Sequence, residues 1–150
     1  MLIKEEFLQK TQTELSSMTN ICLTRWSDWY HGKSSLSEPT LRKMAQSLNV
    51  SPGTVLDWLM EWRKKDPIPK AKIERYTLAS IPYSKWEFFS LSNRELKDQT
   101  GILESRWSEW YSGKIALSEL SARKIGRVLG ISPGTAFDWV MEWRERDPLE

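Results

Sequence analysis

One segment of this chain occurs twice. SPGTVLDWLMEWRKKDP (51–67) returns as SPGTAFDWVMEWRERDP (132–148), and TRWSDWYHGK (24–33) returns as SRWSEWYSGK (105–114), both at an offset of 81 residues. The same offset pairs Phe7 with Phe88 and Leu15 with Leu96, and about half of the aligned positions are identical. A chain of 150 residues built this way accommodates two minimal domains. The repeat divides it into modules at 1–67 and 83–150, with a connector at 68–82. The stretch DPIPKAKIERYTLASIP (66–82) is bounded by prolines and rich in Lys and Arg, and one short ordered turn is expected within it. Its cations either touch phosphates or form a solvated surface.

Within each copy the apolar spacing is helical. Leu41, Met44, Ala45 and Leu48 fall at i, i+3, i+4 and i+7, which predicts an amphipathic helix over 40–48 with Ser37 as N-cap. A second helix is expected from Ser51, with Pro52 at its first position, to about Lys64, where Asp66-Pro67 stops it. Upstream, 13–19 and 23–31 read as short helices separated by Asn20-Ile21-Cys22 and closed by Gly32; Gly101 and Gly113 take the corresponding places in the second copy. No alternating strand pattern flanked by hairpin turns occurs, so the expected fold class is all-α.

Helix order and turn residues in RELKDQTGILESRWSEWYSGK (94–114) and LSELSARKIGRVLGISPGT (117–135) resemble the lambda-repressor-like (XRE) helix-turn-helix family, here in two tandem copies. The resemblance implies five-helix domains whose third helix enters the DNA major groove, commonly as dimers reading two half-sites. Transferred residue by residue, it makes 23–31 and 104–112 the recognition helices. The implied base-facing positions are Leu23, Thr24 and Asp28 in the first copy and Glu104, Ser105 and Glu109 in the second. The implied phosphate-facing positions are Gln12, His31 and Lys33, then Asn93, Ser112 and Lys114. Asp28 and Glu109 depart from the family's polar pattern, because a carboxylate near phosphates costs affinity unless it accepts from a cytosine amino group. Arg25 and Arg106 precede the first Trp of each motif; they either reach a phosphate or guanine edge, or lie over the Trp rings and pair with Asp28 and Glu109.

Nine tryptophans are sorted by the repeat. Trp26, Trp29, Trp107 and Trp110 take core positions of the recognition helices. In the last helix of each copy, Trp58 and Trp62, matched by Trp139 and Trp143, share a broad apolar circumference with Leu56, Met60, Phe137 and Met141. Two readings follow: these Trp form an interface between the last helices, as an intramolecular pseudo-dimer or a homodimer, or they complete each module's own core.

Double-stranded DNA is thus the expected partner, and a transcriptional regulator reading an asymmetric two-part site the leading function. The alternative is a protein-interaction adaptor, antitoxin-like or an assembly subunit, that keeps the helix-turn-helix shape and binds a protein through Trp-rich surfaces. The modest net charge of +2 favours that alternative. An enzyme ranks third, with no catalytic residues, metal or cofactor expected: Cys22 and His31 are the only cysteine and histidine, and become Leu103 and Ser112 in the other copy. Cys22 reads as a small buried apolar residue. The opening MLIKEEFLQKTQ has no leader-length apolar core and no stretch approaches the roughly 18 apolar residues of a membrane span, so a soluble, cytoplasmic protein is expected.

Overall fold

The apolar periodicities become helices in the computed structural model, which describes residues 2–145. Met1 and residues 146–150, the end of the expected second module, lie outside the described residues. The first half consists of α1 (Lys4–Leu8), α2 (Gln12–Thr19), α3 (Leu23–Tyr30), α4 (Glu38–Leu48) and α5 (Pro52–Trp62). A single turn, α6 (Ala71–Glu74), interrupts the connector. The second half consists of α7 (Lys85–Ser90), α8 (Asn93–Thr100), α9 (Glu104–Ser112), α10 (Glu119–Leu129) and α11 (Pro133–Glu145). All five helices of the first half restart at the same offset of 81 residues. Among the described residues no strand forms; the sole bridge joins Ser37 and Ser118.

Local chemistry explains the boundaries. Thr11 and Glu14 cap α2 reciprocally, side chain to backbone in both directions, and Ser92 with Glu95 does the same for α8. Ser84 and Glu87 form a third such box on α7. Helices α2 and α4 end in left-handed Asn20 and Asn49, where α8 and α10 use Gly101 and Gly130. Asn is the second-best residue for that conformation, so the two copies reach one backbone by different side chains.

The buried side chains form one continuous core through both halves. Its joint is α5 packed along α11. At their N-termini the two helices touch backbone to backbone: a Cβ on Gly53 would collide with the carbonyl of Gly134, and a Cβ on Gly134 with that of Gly53. Each N-terminus also receives a carboxylate from the other helix. Asp138 accepts from Gly53 N–H (2.8 Å) and Ser51 Oγ (2.7 Å), and Asp57 accepts from Gly134 N–H (2.8 Å) and Ser132 Oγ (2.8 Å). Helix dipoles favour both placements. Burial, together with the charges of Asp57 and Glu142, nevertheless pushes the Asp138 carboxyl above its ordinary value, against the bonds from Ser51 and Gly53.

Two buried ion pairs repeat the reciprocity. Glu119, fully buried, accepts both guanidinium nitrogens of Arg63 (2.9 and 2.6 Å) and the Leu36 N–H. Glu38 accepts from Arg144 (2.9 and 3.0 Å), Arg42 (3.0 Å) and the Leu117 N–H (2.7 Å). Burial pushes the Glu38 carboxyl upward, but these donors outweigh it and hold it below its usual range.

The four last-helix tryptophans make their ring contacts within their own halves. Trp58 and Trp62 lie 5.5 and 6.3 Å from Phe7, and Trp62 also meets Trp26 and Tyr30. Trp139 and Trp143 lie 6.2 and 5.2 Å from Phe88, and Trp143 also meets Trp107 and Tyr111. The short helices α1 and α7 supply the rings that cover these indoles. One expectation is overturned: Cys22 is exposed, because it occupies the N-cap of α3 while its neighbour Ile21 takes the buried position.

Candidate nucleic-acid interface

Helix α3 is eight residues long, and two tryptophans anchor it. Trp26 and Trp29 are buried and cross edge to face at 5.1 Å, and Trp26 Nε1 donates to Thr19 Oγ1 on α2 (3.2 Å). With that face committed, the opposite one points to solvent: Leu23, Thr24 and Arg25 are exposed and Asp28 half-buried. Helix α9 repeats the arrangement. Trp107 and Trp110 are buried at 5.2 Å from each other, Glu104, Ser105 and Arg106 are exposed, and Glu109 is half-buried. All eight expected base-facing residues thus lie on the outer side of their helices.

The expected phosphate-facing residues flank these faces. Gln12 and Asn93 open α2 and α8, the first positions after their caps. Gln12 and Leu23 line one open cavity of about 490 Å³ beside Tyr30 and Lys10. His31, Lys33, Ser112 and Lys114 are exposed at the C-terminal ends of α3 and α9. The His31 ring is held by the Ser27 carbonyl (2.9 Å) and edge-on to Tyr30.

The two arginines part company. Arg25 donates to Thr40 Oγ1 (3.1 Å) and lies over the Trp29 ring at 5.1 Å, which is the packing alternative of the sequence reading. Arg106 has no such contact among the described residues; it lines a cavity of about 570 Å³ with Arg75, Tyr76 and Lys124. Sequence reasoning left Lys72, Arg75 and Lys124 off the candidate site. Lys124 lies over the Tyr76 ring at 5.3 Å and Arg75 at 5.1 Å, and Arg75 donates to the phenol oxygen (3.1 Å). Burial raises the Tyr76 phenol, but these two cations outweigh it and hold it below its ordinary value. The clustered cations of PKAKIER were the signal; their approach to α9 was not readable from spacing.

Among the described residues no group of three or more His, Cys, Asp or Glu is placed to hold a metal ion, and no helix is long and apolar enough to cross a membrane.

Residues 1–61 match the sequence profile of the Cro/C1-type HTH DNA-binding domain. That span ends within α5 and includes α2 and α3, the helix-turn-helix pair. No curated protein and no solved structure matches the chain.

Proposed function

We propose that the protein is a sequence-selective double-stranded DNA-binding regulator that reads an asymmetric two-part site with α3 and α9. The observation that carries this reading is the Cro/C1-type match over 1–61, combined with an α3 whose tryptophan face is buried and whose Leu23, Thr24 and Asp28 face is open. The recurrence of all five helix starts at the 81-residue offset supports a second helix-turn-helix module in 83–150, joined to 1–67 through 68–82. The reciprocal contacts of Asp57 with Gly134 and Asp138 with Gly53, and of Glu38 with Arg144 and Glu119 with Arg63, have the form of an isologous dimer contact written within one chain. They support an intramolecular pseudo-dimer.

In this reading Leu23, Thr24 and Asp28 address one half-site and Glu104, Ser105, Glu109 and Arg106 the other, while Arg25 is held by Thr40 and the Trp29 ring. Because the two sets differ, the half-sites differ in sequence. Their centres lie about one helical turn, roughly 10 bp, apart. Gln12, His31 and Lys33, with Asn93, Ser112 and Lys114, hold the flanking phosphates.

Selection of bound fragments from random DNA should recover a non-palindromic two-part motif. Replacing Lys33 and Lys114 together by Ala should weaken binding to it and reduce the slope of log affinity against log salt by about one per lost contact. An unchanged slope in a fluorescence-anisotropy titration would remove these lysines from the interface. Failure of the intact protein to bind any duplex at low salt would overturn the DNA reading in favour of a protein-interaction adaptor.

A further inference from the structure

The chain's net positive charge is concentrated around the start of the connector. Residues 64–76 contain five Lys or Arg against two Asp or Glu, more than the net +2 of the whole chain, so the remainder of the protein is net negative by one. One of the two acids is already neutralised: Asp66 pairs with Arg123 (2.8 Å) and Arg63 (3.1 Å). Burial pushes its carboxyl up, but Arg123, the Ile68 N–H and Arg63 outweigh that and hold it below its ordinary value. A chain whose other parts are slightly acidic has little general attraction for a polyanion. Whatever attraction exists is concentrated in this segment.

The segment is also fixed in place between the two recognition helices. It leaves the end of α3 with the Lys64 and Lys65 N–H groups on the Tyr30 carbonyl (2.9 and 3.3 Å). Lys72, Pro67 and Ile68 share a cavity of about 510 Å³ with Lys33 and Ser35, just beyond that helix. Ile68 and Ile73 are buried anchors, α6 packs on α10, and the Tyr76 carbonyl accepts from Arg127 Nε (2.5 Å). Arg75 and Tyr76 then line the cavity that Leu103 and Arg106, at the start of α9, line from the other side. Neither cavity is lined by a carboxylate. Lys72 and Arg75 are themselves exposed.

We infer that residues 64–76 are a third DNA-contacting element, in which Lys72 and Arg75 hold phosphates of the duplex between the two half-sites. This rests on the DNA-binding reading above. The segment is ordered before DNA arrives, so little conformational entropy is lost on contact. Its contribution is electrostatic and independent of base sequence, which offsets the repulsion from Asp28, Glu104 and Glu109 on the recognition helices.

The test uses the full chain and two duplexes of roughly four helical turns, one carrying the selected motif and one of scrambled sequence. Salt titrations compare the wild type with Lys72→Gln/Arg75→Gln and with the charge-keeping exchange Lys72→Arg/Arg75→Lys. The glutamine variant should bind both duplexes more weakly and lose about one unit of salt slope per substitution. Ethylation of the phosphates between the half-sites should also cease to interfere with its binding, and this loss of interference is the protection lost. The exchange variant should retain slope and protection, which a purely structural role for the Arg75 stack on Tyr76 would not allow. Wild-type binding with an unchanged slope in the glutamine variant would overturn the inference and leave DNA binding intact. No wild-type binding to either duplex would remove both.

Discussion

The two halves start their helices in the same register and then use the same positions differently. In the first half Trp26 Nε1 is satisfied by Thr19 Oγ1, and Arg25 is spent on Thr40 and the Trp29 ring. In the second, the indole nitrogens of Trp107 and Trp110 are buried without a hydrogen-bond partner among the described residues, and Thr100 Oγ1, the counterpart of Thr19, accepts from the Ile102 N–H. Arg106 is left free to face the connector. Polar groups at the joint behave in the opposite way: Glu38 and Glu119, Asp57 and Asp138, Arg63 and Arg144 repeat their roles across the 81-residue offset. The contacts between α5 and α11 are therefore alike from both sides, while the surroundings of α3 and α9 differ.

The largest expected effect bears on the joint. Glu119 is completely buried against Arg63, whose side chain is 5% exposed, whereas Glu38 and Arg144 keep 10% and 12%. Glu119→Ala leaves the buried Arg63 guanidinium with its single contact to Asp66 (3.1 Å) and should cost about 3 kcal/mol in urea unfolding, the lower end for a broken buried pair. Glu38→Ala should cost less, since water reaches both partners; equal losses would mean that the two pairs are equivalent despite their burial. A smaller difference is expected between the halves' cores. Trp26→Phe and Trp107→Phe remove similar apolar area, but only the first breaks a hydrogen bond, so it should be more destabilising by about 1 kcal/mol.

The smallest effect concerns pH. Asp138 titrates above the ordinary carboxylate value in the folded protein, so between that value and the raised one the folded state holds a proton that the unfolded chain has released. Stability from this group is full below the unfolded pKa and is lost as pH rises through the folded one. Asp138→Asn removes that loss, so the variant should gain on the wild type as pH climbs through the window. A stability difference that does not change with pH would refute the raised value. Glu38 and Asp66 act with the opposite sign: their contribution is present above the ordinary carboxylate range and is lost as pH falls through their lowered values.

Much of the scaffold was legible in the residues themselves. The apolar spacing located α2 to α5, Ser37 and Ser51 were the N-caps, and the recognition-helix tryptophans are buried as their positions implied. Helices α1 and α7, five and six residues long, were too short for periodicity to reveal, although Ser84 and Glu87 spelled a capping box. Missing them hid Phe7 and Phe88. That is why Trp58, Trp62, Trp139 and Trp143 were open to two readings, an interface or each module's own core. Nothing local marks Glu38 or Glu119 as buried, because each finds its arginine 106 or 56 residues away. Lys72 and Arg75 were visible as charge; their place beside Lys33 and Arg106 follows from how the connector crosses the molecule.

The glycine contact between α5 and α11 has a consequence for how the protein behaves in dilute solution. Two separate chains held by such a contact would come apart once their concentration fell below the dissociation constant. Here Gly53 and Gly134 belong to one polypeptide, so the local concentration of each helix around the other is set by chain connectivity and is the same at one copy per cell as at a thousand. The spacing between α3 and α9 is then a property of the single molecule. Under the proposed two-part reading, occupancy of a target should rise with the first power of protein concentration, and a sigmoidal binding curve would show that chains assemble further.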